Sequence, residues 1–272
     1  MTTRVADAMM QRFGELRFEP TQKRVRVAHG DAVVAETPHA VLVWEPRRIV
    51  PMYAFPAEDV RAELIAGPQV AIDGRPVLHP GIPFSAHSTP GRAFDVRVSG
   101  QVLEGAAFRP DDPEVAGLVV LDFDAFDTWH EEAEEIFAHP RSPYHRVDVR
   151  PSDRHVRVEL DGEVLAESTR PMLVFETSLP PRFYLPVEDV VAPHRPSGTR
   201  TACPYKGWAS YWSFGERRDL AWLYEDPLPD AVRIKGMVSF WDELVDVVVD
   251  GQRRGRPTTD FTEALKEEFG VG

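Results

Sequence analysis

The chain is written twice. Glu15-Leu-Arg-Phe-Glu-Pro-Thr-Gln-Lys-Arg-Val-Arg-Val27 lies over Arg146-Val-Asp-Val-Arg-Pro-Ser-Asp-Arg-His-Val-Arg-Val158, with Val25 against Val156, a spacing of 156 − 25 = 131. The match runs on through Val33-Val-Ala-Glu36 over Val164-Leu-Ala-Glu167 and Val41-Leu-Val-Trp-Glu45 over Met172-Leu-Val-Phe-Glu176. One residue is then lost in a loop, and Phe55-Pro-Ala-Glu-Asp-Val60 falls on Leu185-Pro-Val-Glu-Asp-Val190. Further along, Gly91, Phe108 and Pro113 fall on Gly207, Tyr224 and Pro229, where the spacing is 207 − 91 = 116. Whatever fold serves one copy has to serve the other. The expected domains are therefore 1–140, with an insertion near 62–84, and 141–272, with the boundary close to Pro140–Pro143.

Within a copy the local signals are mostly β. Val156-Arg-Val-Glu-Leu and Glu163-Val-Leu-Ala-Glu alternate on either side of Asp161-Gly162, a pair suited to a tight hairpin. Met172-Leu-Val-Phe-Glu176 reads as a strand buried on both faces that ends in a carboxylate, and Tyr211–Phe214, Ala221–Tyr224 and Val245–Val249 read as further strands. Asp124–His139 places Phe126, Trp129, Ala133 and Ile136 along one helical face, and Asp260–Phe269 looks like a capped terminal helix. The expected class is mainly β (α+β): two homologous, compact, tent-like or barrel-like β domains with peripheral helices.

Composition narrows the function. The 31 basic and 44 acidic residues give 31 − 44 = −13, a field that repels nucleic-acid backbones and anionic lipid. No apolar run nears the roughly 20 residues of a membrane-spanning helix. The single cysteine, Cys203, excludes an internal disulfide and a cysteine-cluster metal site, and the first residues carry no apolar signal core. A cytoplasmic protein is the expectation, with no nucleic-acid or membrane partner, forming a pseudo-dimer within one chain, as a monomer or homodimer.

The chemistry concentrates in the second copy. Thr201-Ala-Cys203-Pro-Tyr205-Lys206-Gly207-Trp-Ala-Ser-Tyr211-Trp212 holds the only cysteine and a lysine three positions on. In that spacing the thiol serves as an activated nucleophile, or it simply fills an apolar space while Lys206 faces water. The first copy has His87 and Pro90 at these positions, so an activity here belongs to the second. Glu176, with Glu45 as its counterpart, needs a partner or a raised pKa beside its apolar run, which makes it an acid/base candidate, a ligand anchor or a loop-holding carboxylate. The loop after it adds Arg182 and Tyr184, matched by Arg47, Arg48 and Tyr53. Asp122 and Asp124 suit a helix start better than a metal pair. His130 and Glu134 sit one helical turn apart without the second histidine of a metalloprotease helix. Gln252–Arg256 reads as a basic linker.

Glu176-Thr-Ser-Leu-Pro-Pro-Arg-Phe-Tyr184-Leu-Pro-Val-Glu-Asp189, Cys203-Pro-Tyr-Lys-Gly207, Tyr211-Trp212, Ala221-Trp222-Leu-Tyr224-Glu-Asp-Pro227 and Phe240 resemble the bacterial family catalogued as domain of unknown function 427. The resemblance spans nearly all of the second copy. The first copy is similar to the divergent partner of tandem members, keeping Glu45, Pro56, Asp59, Gly91 and Pro113. It implies a compact, mainly β domain of uncharacterised function, with a nucleotidyltransferase-like label. The resulting expectation is a pocket in the second copy for a small anionic or aromatic metabolite. Glu176, Cys203 and Lys206 are its candidate catalytic residues, and Arg182, Tyr184, Tyr205, Tyr211, Trp222 and Tyr224 its ligand-binding ones. No metal site is expected and any cofactor is unknown. A non-catalytic interaction scaffold is the alternative, and nucleotidyl transfer the third reading.

Overall fold

The structure, a computed structural model, describes residues 2–258 and divides into two compact units, Met1–Pro143 and Tyr144–Gly272. The first opens with a short helix α1 (Val5–Met10), followed by β1 (Arg17–Pro20), β2 (Val25–His29), β3 (Ala32–Thr37), β4 (Val41–Trp44), β5 (Met52–Pro56), β6 (Glu63–Gln69), β7 (Gly91–Val98), β8 (Gln101–Pro110), β9 (Leu118–Leu121), β10 (Thr128–Glu131) and β11 (Glu134–Ile136). The second has β12 (Val147–Pro151), β13 (Val156–Leu160), β14 (Glu163–Ser168), β15 (Met172–Glu176), β16 (Arg182–Pro186), β17 (Arg195–Cys203), β18 (Gly207–Phe214), β19 (Arg217–Tyr224), β20 (Met237–Phe240), β21 (Asp246–Val249) and β22 (Gln252–Arg253).

Each unit is a pair of open antiparallel sheets. The first orders its strands β1-β4-β5-β9-β8-β7-β6 and β11-β10-β2-β3; the second orders its own β12-β15-β16-β20-β19-β18-β17 and β14-β13-β21-β22. Replacing β1 by β12, β2 by β13 and so on reproduces the permutation strand for strand, so the repeat in the sequence is a repeat in topology. Among the described residues none of the four sheets closes into a barrel. The β13–β14 hairpin turns at Asp161 (φ 52°) and Gly162 (φ 88°), both in the left-handed region that a tight two-residue hairpin requires.

Alternation along the strands decides what faces where. Phe183 and Leu185 of β16 join Val156, Val158 and Leu165 of the small sheet in the core between the sheets. Tyr184 points the opposite way and joins Val174, Tyr211, Trp222 and Tyr224 in a second cluster, partly covered by Ala231 and Ile234 of the 3₁₀ turn Pro229–Ile234. Burying such side chains contributes about 1.5–3 kcal/mol each, so the large sheet is stabilised on both faces. The second face carries the candidate site.

Several expectations change. Asp124–His139 is not a helix: Asp122 caps a 3₁₀ turn at Phe123–Ala125, and β10 and β11 then form a hairpin through Glu132 at φ 54°. Pairing of β10 with β2 and the stacking of Trp129 on Phe123 override the helical spacing. His130 consequently stands opposite Glu135 on a neighbouring strand, with no helical turn linking it to Glu134. Peripheral helix in the described residues amounts to α1 and short 3₁₀ turns, and Asp260–Phe269 lies outside them. In Met172–Glu176, Leu173 and Val174 are buried but Phe175 is exposed. Gln252–Arg256 is no free linker, because Arg253 pairs with Glu159 and Asp246, Arg256 pairs with Asp246, and Arg254 lies over Phe183. The extra chain of the first unit follows β6, as the 70–90 connection to β7; the corresponding connection in the second unit is 204–206.

Candidate functional site

On the outer face of the second unit's large sheet a cleft of about 280 Å³ is lined by Val174, Glu176, Leu179, Arg182, Tyr184, Lys206, Tyr211, Trp222, Tyr224, Trp241 and Glu243. Its floor is a cross-strand row in which Met172 pairs with Tyr184, Tyr184 with Ser239, Ser239 with Trp222 and Trp222 with Tyr211. The Trp222 indole N–H donates to the Tyr184 hydroxyl at 2.9 Å, and Trp241 tilts against Trp222 with ring centroids 4.5 Å apart. The Tyr211 and Thr201 hydroxyls are hydrogen-bonded at 2.8 Å. Burial pushes the Tyr184 and Tyr224 phenols well above their ordinary range. They are neutral hydrogen-bonding groups and not proton donors at physiological pH.

Two ion clusters flank the row. In the first, the Lys206 ammonium donates to Glu176 Oε2, while His145 Nε2 lies 3.0 Å from Glu176 Oε1. Burial alone would raise the Glu176 pKa, yet the hydrogen bonds from His145 and Lys206 and the lysine charge hold it at about 2. In the second, the Arg182 guanidinium donates to both oxygens of Glu243 at 2.8 and 2.6 Å, and the Glu243 side chain is fully buried. Burial raises Asp242 to about 6, opposed by Arg182. Arg182 also lies 5.7 Å from the ring centroids of both Trp222 and Trp241.

The structure brings Glu176, Lys206, Arg182, Tyr184, Tyr211, Trp222 and Tyr224 to one cleft and leaves Cys203 and Tyr205 outside its lining. Cys203 ends β17 opposite Gly207. The Lys206 amide donates to the Cys203 carbonyl at 3.2 Å, a turn that sends the ammonium to Glu176. Tyr205 is buried and stacks on His145 at 4.1 Å. Arg182 and Tyr184, expected on a loop, sit on β16. Tyr53 is not the partner of Tyr184: its register neighbour Phe55 corresponds to Leu185, so Tyr53 matches Phe183, faces the inter-sheet core and donates to Glu131 at 2.7 Å. His145, Trp241 and Glu243 were not anticipated. The acidic pair Asp242-Glu243 directly after an apolar strand was the available signal for the last, since buried carboxylates demand a cation.

The first unit keeps the carboxylate but packs side chains on the corresponding face. Glu45 is wholly buried, with Oε1 2.9 Å from His87 Nδ1 and Oε2 accepting from the Ser88 amide at 2.6 Å. Val43, Met52, Ala54, Phe108 and Val120 form the apolar cluster on this face, with Phe84 of the 70–90 connection packed on it. Met52 and Ala54 stand where Arg182 and Tyr184 stand in the second unit.

Each unit is thus an open two-sheet β domain of one topology, with a carboxylate at the end of the same strand. A model of the family described as Domain of unknown function (DUF427) matches residues 17–70 and 148–251. The chain belongs to that family, and the two segments fall on its two units. Comparison with curated proteins finds no match.

Proposed function

We propose that the second unit binds a small aromatic molecule in this cleft, with the Glu176–Lys206 pair as its polar anchor. The carrying observation is a cleft in which the largely buried rings of Trp222 and Tyr224, with Trp241, meet an ion cluster already satisfied from within. The volume suits one or two fused rings, and such rings stack favourably on indole and phenol faces. The charges favour an aromatic ligand over an anion. Any anion at Arg182 or Lys206 has to compete with the carboxylates of Glu243 and Glu176, which already hold those cations.

The same balance favours binding over acid/base chemistry. A carboxylate held at about 2 is far from the near-neutral value that makes a strong general base, so Glu176 is read as a hydrogen-bond acceptor. Cys203, outside the cleft lining, is not given a nucleophilic role. A scaffold without ligand is the competing reading, and the experiment separates the two.

The full chain is screened by thermal shift and tryptophan fluorescence against small aromatic metabolites. A ligand present at a hundred times its Kd stabilises the unit it binds by about 2.7 kcal/mol. Hits are expected to quench fluorescence through Trp222 and Trp241 and to weaken about tenfold or more in Lys206→Met. No hit, or hits indifferent to Lys206→Met and Glu176→Gln, overturns the proposal and leaves the scaffold.

A further inference from the structure

The first unit contains an occupant of its own site. The 70–90 connection folds back over the sheet and is fastened there by backbone and guanidinium hydrogen bonds. The Leu78 amide donates to the Arg47 carbonyl at 2.8 Å and the Ile49 amide to the Leu78 carbonyl at 3.1 Å. Arg48 reaches the Ala86 carbonyl at 2.7 Å, and Arg47 reaches the Asp73 and Arg75 carbonyls. The segment delivers His87. Its imidazole lies flat on Phe108, with ring centroids 3.8 Å apart and 15° between the planes, and meets Phe84 edge-on at 5.1 Å. With Nδ1 on Glu45, the ring is 1% exposed.

Two of those three contacts, Glu45 and Phe108, have counterparts in the second unit's cleft. Glu45 corresponds to Glu176. Phe108 falls on Tyr224 by sequence. By register it takes the place of Trp222, because Phe108 stands opposite Val120, itself opposite Ala54, while Trp222 stands opposite Ser239, itself opposite Tyr184. Either way the aromatic residue lines the cleft. The one ring of the short 204–206 turn, Tyr205, is not part of the cleft lining. His145, which corresponds to Gly14, also sets an imidazole nitrogen against Glu176, at Oε1, but it does so stacked on Tyr205 and from outside the cleft lining, so it leaves the cleft side of the carboxylate to another group. Lys206 and His145 use two of the roughly four acceptor positions of the Glu176 carboxylate, which leaves room for a further donor.

The geometry points to a small nitrogen heteroaromatic of imidazole type, free or fused to a second ring, as the ligand of the second unit, stacked on the Trp222–Tyr224 wall and donating its ring N–H to Glu176. This rests on the binding reading above and names its ligand class from the intramolecular precedent in the first unit.

Benzimidazole and 1-methylbenzimidazole separate the possibilities, because they share size and aromaticity and only the first has a ring N–H. Binding to the full-length protein is measured by saturation-transfer NMR and calorimetry in mildly alkaline buffer, where both are neutral. Benzimidazole is expected to bind about tenfold or more tightly than its methylated analogue, the loss expected when a charge-assisted hydrogen bond goes. Glu176→Gln, checked for folding by circular dichroism, is expected to narrow that ratio towards one. Equal affinity of the two compounds for the unmodified protein overturns the inference without recourse to a variant, and so does a ratio untouched by Glu176→Gln. If benzimidazole fails while other aromatic compounds bind in the cleft, this inference falls and the binding reading stands. If no aromatic compound binds, both fall.

Discussion

Replacing Glu176 by glutamine should reshape the acid limb of the second unit's stability. The Glu176 carboxyl, ordinarily near 4.5, is held at about 2 in the folded chain. A group whose pKa is lowered by folding contributes stability that is present in full above its unfolded value. That stability is lost as pH falls through its folded value. A lowering from 4.5 to about 2, at roughly 1.4 kcal/mol for each unit of pKa, amounts to about 3 kcal/mol. It should therefore disappear between about pH 5 and about pH 2 in the unmodified protein and be missing at every pH in Glu176→Gln. That loss already includes the Lys206 ammonium, nine-tenths buried, being left without its counter-ion. Hydrogen exchange with mass-spectrometric readout on peptides covering β15 and β18 isolates the second unit from the first. Opening free energies are compared for the two proteins at a series of pH values. The curves should lie several kcal/mol apart near neutrality and converge on acidification. Parallel curves down to pH 2 would show that His145 and Lys206 do not hold this carboxylate, and the electrostatic reading of the site would be wrong.

Three other perturbations test the same framework. His87→Gly removes a buried ring and strands the Glu45 carboxylate, at a cost of about 3–5 kcal/mol; added imidazole should recover part of the lost melting temperature and 1-methylimidazole less, and equal recovery by both would refute the hydrogen-bonded placement. Arg182→Met leaves Glu243 buried without its cation and should cost about 3–5 kcal/mol in urea unfolding. The double variant Arg182→Met/Glu243→Leu should be less damaged than Arg182→Met alone, and simple additivity of the two singles would argue against the pair. Tyr184→Phe deprives the buried Trp222 N–H of its acceptor, an expected loss of about 1–3 kcal/mol, and a change under a few tenths of a kcal/mol would count against that bond.

The duplication made most of the architecture readable, because a repeat in residues forces a repeat in strand order and the Asp161-Gly162 pair marks its hairpin directly. The failures were of two physical kinds. Phe126, Trp129, Ala133 and Ile136 satisfy a helical spacing, but pairing with β2 and the stack under Trp129 outweigh local periodicity in so short a segment. Tyr53 looked like the mate of Tyr184 because both follow the same strand by eye. A register difference of one residue places them on opposite faces. In the site, side chains that repeat motifs made conspicuous were found together, whereas His145 and Glu243 reach Glu176 and Arg182 from positions 31 and 61 residues away. Nothing in linear spacing signals such meetings. Cys203 drew attention by rarity, which is a property of composition and not of location.

The slip of Phe108 between its sequence partner and its register partner has a bearing on how such copies drift apart. A strand that slides past its neighbour by two residues keeps every side chain on the face it had, and the wall of the site changes its tenant without changing its nature. A slide of one would turn the aromatic residue into the inter-sheet core and bring a core residue out. Changes of odd length therefore fall in a connection, as with the single residue lost between β15 and β16 relative to β4 and β5, or are absorbed by a bulge, as in the β2–β3 and β13–β14 ladders. In relatives of this chain, length differences falling inside β7–β8 or β18–β19 should come in pairs or carry a bulge.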